Sequence, residues 1–218
     1  MSIFNIFKPK QKEKSIFNIN PNVMIIEGID ELLDKYQFFT IEEKKKLSQY
    51  CESLMDILSF HKSYLQKIGK TDKNYVEKSS FEVIPIFWLI LTNQLSKKNS
   101  DPKIANIFYD IIYYSIYKNN SISSTPKMSS LENYDNYFQE KSHFYFEVLK
   151  MLPNAQMTAI DYLRESIINN PFEIQEFGKI NNNSFMNSIV GGVTNQLEFM
   201  NYFNDLQDKS LNKIKKII

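Results

Sequence analysis

The sequence predicts an all-α fold, a single helical domain of about seven or eight helices in an irregular bundle over residues 21–218, behind a basic N-terminal tail at residues 1–20. Three observations predict it. Only 5 Gly and 7 Pro occur in 218 residues, too few for the tight turns of a many-stranded sandwich or barrel. Leu47, Cys51, Leu54, Leu58, His61, Leu65 and Ile68 alternate steps of four and three, which lines them up on one helical face. Helix-start signatures also recur, with Thr40 before Glu43, Asp101 before Pro102 and Ser129 before Glu132.

The tail repeats Ser-Ile-Phe-Asn-Ile at residues 2–6 and 15–19 around a group of lysines, too short a match for a structural repeat. A helix is expected from Asn22 to about Phe38. The next opens on the Thr40 and Glu43 capping box and closes at Gly69, the expected C′ residue. A third, central helix is expected from Pro85 to Lys97, apolar nearly all round at its start. A strand over 81–91 is its alternative, since periodicity alone does not separate the two in a short apolar run. Asp101 and Pro102 begin a helix to about residue 118. The polar stretch 119–130 is the one long loop and divides the domain into halves. Beyond it, Ser129 and Glu132 start a helix that Pro153 stops. Asn154 starts another, Asn170-Pro171 a short one ended by Gly178, and Ser184 the last. Gly191-Gly192 inside that last helix predicts a kink or a close helix contact.

Composition excludes several function classes. The hydrophobic share of 43% with 23% charged residues belongs to a chain with a real core. The cationic residues are 25 Lys and the single Arg164, and with abundant Ile and Asn they suggest an AT-rich coding bias and a bacterial or phage origin. Arginine is the side chain that grips guanine edges and phosphates bidentately, so sequence-specific nucleic-acid reading is disfavoured. Residues 1–14 carry +3 and residues 209–218 carry +4, which leaves the body at −6 within a net +1. Basic apolar segments at both ends of an acidic body suggest a possible contact with an anionic membrane surface. One cysteine, Cys51, forms no internal disulfide and suits a cytoplasmic protein, at most peripheral to the inner face of the membrane. The longest apolar run, Val83 to Leu91, is nine residues, against the roughly 20 needed to span a bilayer.

No phosphate-binding glycine loop, zinc motif, redox motif or nucleophile elbow is present in the sequence, and no cofactor is expected. Glu140, His143 and Glu147 share a face, but a di-iron bundle needs the Glu-x-x-His pattern twice, so this reads as a solvated face. His61 projects from the middle of the leucine seam and reads as a core imidazole bonded to a carbonyl or hydroxyl. Cys51 lies about 15 Å from it along the helix, too far for a catalytic pair. Arg164 falls on the apolar face of its helix between Met157, Ile160 and Ile168, with Asp161 one turn before it as a partner. His61, Arg164 and Asp161 are the residues from which a small-ligand or enzyme pocket would be built. The preferred site is different. Tyr109, Tyr113 and Tyr117 recur every four residues beside Asn106 and Asp110, mixing flat aromatic area with a polar rim as binding hot spots do. The expectation is a non-enzymatic protein that binds another protein stoichiometrically, as an immunity-type protein neutralises a toxin.

Overall fold

The computed structural model of the chain describes residues 40–100, 104–109, 131–171 and 182–218, with side chains at all of these except 131–135 and 182–194. Every regular element among them is helical: α1 (Ile41–Lys67), α2 (Lys73–Lys97), α3 (Leu131–Met151), α4 (Gln156–Arg164) continued by a π-helical segment (Glu165–Asn169), and α5 (Asn182–Ile217). Residues 104–109 are helical as well. The fold is all-α. The expected count of seven or eight helices draws on segments that lie outside the described residues, as do the 1–20 tail, the helix from Asn22, the loop 119–130 and the short helix ending at Gly178.

The start of α1 is set by the Thr40 side chain, which accepts from the Glu43 amide at 3.2 Å while the Glu43 carboxylate accepts from the Thr40 amide at 2.8 Å. Its end is a Schellman turn. Gly69 adopts φ +77° and donates to the Gln66 carbonyl, and Lys70 donates to Leu65. The end of α2 repeats the pattern with Asn99 at φ 51°, where Asn99 donates to Ser96 and Ser100 to Leu95.

Helix α2 departs from expectation at its front. It starts at Lys73, not at Pro85, with Asp72 capping the Tyr75 amide at 2.8 Å, and there is no strand over 81–91. Pro85 therefore stands inside the helix. Its ring nitrogen has no proton to donate back one turn, a cost of about 3 kcal/mol in an isolated helix. Residues 81–87 are all buried, and each large apolar side chain among them returns about 1.5–3 kcal/mol. Burial outweighs the local propensity here. Helix α2 is the hub, packed against α1, α3, α5 and the π segment.

Helix α4 begins at Gln156 with Ala155 as an N-cap that makes no side-chain bond. Asn154 is thus not its cap, because the chain turns first through bonds from Asn154 and Ala155 to the Met151 carbonyl. Helix α5 begins at Asn182, before the expected Ser184, and runs on through Gly191 and Gly192. Its last turns lie against α1. Ile214 is fully buried, Lys213 pairs with Asp56, and the Lys209 ammonium sits 5.0 Å above the Phe60 ring. Among the described residues no helix is long and apolar enough to cross a membrane.

Candidate functional site

Of the residues expected to form the tyrosine face, Asn106 and Tyr109 lie within the described residues. Asn106 is exposed and Tyr109 half-buried, whereas Ala105, Ile107 and Phe108 turn into the core. Tyr109 packs on Phe138 with ring centroids 4.6 Å apart and on Trp88 at 6.2 Å. The Trp88 indole N–H donates to the Ala105 carbonyl at 3.2 Å, tying α2 to residues 104–109. These rings form an aromatic ledge with limited freedom. Asp110, Tyr113 and Tyr117 lie outside the described residues.

His61 is completely buried, and its protons are dictated by its neighbours. The Ser79 hydroxyl has one proton and donates it to the Ile167 carbonyl at 2.6 Å, so its oxygen must accept at 2.9 Å from His61 Nε2–H. Nδ1 is then the bare nitrogen and accepts from the Tyr202 hydroxyl at 2.5 Å. Burial holds the imidazole neutral, pulling its pKa down to about 3. Burial likewise pushes the Tyr202 phenol well above its ordinary range. Both ring nitrogens are occupied inside the protein.

A second buried group, which the sequence reading missed, is built one turn further along α2 from Ser79. Glu82 and Lys141 are 0% and 1% exposed, with Lys141 Nζ 3.1 Å from Glu82 Oε2. Tyr137 donates to Glu82 Oε1 at 2.7 Å and Tyr145 to Oε2 at 2.6 Å. Lys141 also donates to Ser166 Oγ at 2.8 Å. Since Tyr145 has already given its proton to the carboxylate, Ser166 donates to the Tyr145 oxygen at 2.9 Å. Glu82, Lys141, Ser166 and Tyr145 thus close a ring in which every proton has a place. Burial first, then the Glu82 charge, drives the Tyr137 and Tyr145 phenols far above their usual range.

Both groups meet at the π segment. Asn170 donates to the Glu165 carbonyl at 2.8 Å, five residues back, which widens the last turn. Pro171 has no N–H with which to serve the Ile167 carbonyl, and the Ser79 hydroxyl from α2 takes that place. The Tyr75 hydroxyl donates to the Ile168 carbonyl in the same way. The wide turn also brings Ser166 to Lys141 and Tyr145.

His61 makes its bonds to Ser79 and Tyr202, not to Arg164 or Asp161. Arg164 is half-buried, and Asp161 accepts from Gln196 Nε2 at 2.5 Å. Burial raises the Asp161 pKa, against the lowering effect of that bond and of the Arg164 charge. Met157, expected beside Arg164 on an apolar face, is 46% exposed. Glu140 and His143 are exposed and Glu147 pairs with Lys150 at 2.9 Å. Among the described residues no cluster of three His, Cys, Asp or Glu is placed to hold a metal ion. Cys51 is fully buried, and burial raises its thiol pKa far out of the reactive range. No family model, curated protein or solved structure matches the chain.

Proposed function

We propose that the protein acts in the cytoplasm by stoichiometric binding of another protein, through Asn106, Tyr109, Asp110, Tyr113 and Tyr117. A small immunity-type protein that neutralises a toxin belongs to this class. The observation that carries the reading is the half-buried pair Trp88 and Tyr109, held on the buried Phe138. Aromatic anchors already locked by packing lose little freedom when a partner docks, and such anchors dominate binding energy. The buried histidine and the buried ion pair add indirect support, since their polar atoms are engaged within the core. A membrane-surface role through the termini has less behind it, because Lys209 and Lys213 are engaged on α1.

The test is partner capture from the native host with the unaltered chain and with a variant carrying Tyr113→Ala and Tyr117→Ala. A protein recovered in near-equal amount with the unaltered chain should fall by about tenfold or more with the variant, as loss of two anchors requires. Circular dichroism must show the variant folded. Retention of every specific partner by the folded variant would overturn the proposal.

A further inference from the structure

Three helices share one proton path at Tyr202. This side chain of α5 is 5% exposed, and His61 of α1 and Ser79 of α2 are fully buried. The bonds run in one direction. Tyr202 O–H donates to His61 Nδ1 at 2.5 Å, His61 Nε2–H to Ser79 Oγ at 2.9 Å, and Ser79 O–H to the Ile167 carbonyl at 2.6 Å. A phenol that donates to the bare nitrogen of an imidazole has a base already aligned on its proton.

The ring of the same residue leads outward. Tyr202 stacks on Tyr64 with centroids 3.9 Å apart and planes 11° from parallel, and on Phe60 at 5.7 Å and 19°. Tyr64 and Phe60 are half-buried, so the stack carries the π system of Tyr202 to the protein surface. Electron and proton therefore have separate routes, one through stacked rings to the outside and one along a hydrogen bond into the core. Removing an electron from a phenol turns its O–H into a strong acid. Such an acid protonates even an imidazole whose basicity burial has weakened.

We propose that Tyr202 is a redox site, oxidised reversibly by a one-electron, outer-sphere oxidant acting at Tyr64, with His61 as its proton acceptor. One electron leaves Tyr202 by way of the Tyr64 ring, and the oxidant is reduced by one electron. The phenolic O–H bond breaks as the Nδ1–H bond forms, leaving a neutral phenoxyl radical beside an imidazolium whose Nε2–H stays on Ser79. Return of one electron from a reductant sends the proton back and restores the phenol. Burial keeps this radical from meeting a second one, the usual end of an exposed tyrosyl radical. The site is independent of the tyrosine face.

The full chain is tested with ruthenium(III) tris-bipyridine generated by a light flash. Tyrosyl radicals are followed by absorption and by electron paramagnetic resonance, with ring-deuterated tyrosine separating them from any radical on Trp88. A long-lived tyrosyl radical is expected, and its rate of formation should not change with buffer concentration, because its base lies inside the protein. Exposed phenols, which give their protons to buffer, should form short-lived radicals faster as buffer is added. Circular dichroism confirms that each variant is folded. Tyr202→Phe should abolish the long-lived signal, and so should His61→Gln, whose amide oxygen accepts a hydrogen bond but does not keep the proton. Tyr64→Leu should slow its formation. If the unaltered chain gives no long-lived radical, if its formation follows buffer concentration, or if any of the three folded variants behaves as the unaltered chain does, the site does not work as proposed.

Discussion

Replacing Lys141 by methionine keeps most of the side-chain volume and removes the ammonium from the closed ring with Glu82, Ser166 and Tyr145. The carboxylate left behind is 0% exposed. Tyr137 and Tyr145 still donate to it, but no cation offsets its desolvation among those contacts. Breaking a buried pair from one side costs about 3–5 kcal/mol. A domain of this size has of the order of 5–15 kcal/mol of stability in total. The change should therefore lower the thermal midpoint by roughly 6–20 °C, at about 2–4 °C per kcal/mol. Glu82→Gln should cost a similar amount by stranding the ammonium.

The double variant decides what the pair does. With both charges gone neither is stranded, so its loss should fall short of the sum of the single losses by about 2 kcal/mol or more. Urea unfolding followed by circular dichroism measures all three. Additive losses, or a Lys141→Met cost below about 1 kcal/mol, would show that the two charges are not coupled as the geometry implies.

Two other predictions follow from buried groups. His61 has a folded pKa of about 3 against 6.5 for the free group, so between those values the unfolded chain takes up a proton that the folded chain refuses. Stability contributed by this group is complete above pH 6.5 and declines by about 1.4 kcal/mol per pH unit as pH falls toward 3; urea titrations at pH 7, 6 and 5 should show the decline, and His61→Gln should remove that share of it. Cys51 should react with a thiol reagent only as fast as the protein opens, because it is fully buried; immediate stoichiometric labelling of the native protein would refute its placement.

Helix α1 was legible end to end, because its signals are local. Thr40 and Glu43 lie three residues apart, the seam repeats within the helix, and Gly69 supplies the left-handed turn in one residue. The start of α2 was misplaced because Pro85 ordinarily opens a helix or stops one, while the burial that overrides it comes from α1, α3 and α5. The Glu82 and Lys141 pair left faint traces. Glu82 is the one charge within Phe81 to Phe87, and Tyr137, Lys141 and Tyr145 recur every four residues, yet only the fold reveals that the two positions face each other. The π segment left almost none. Its wider turn breaks the helical phase after Arg164, which is why counting 3.6 residues per turn set Ile168 on the same face as Met157.

Trp88 is the only indole in the chain, and it touches Tyr109 and Phe138 while bonded to Ala105. All tryptophan emission from this protein thus originates at one address, beside the ledge where docking is proposed. Its colour and intensity act as a built-in optical gauge, so a disturbance there can be followed without attaching a dye.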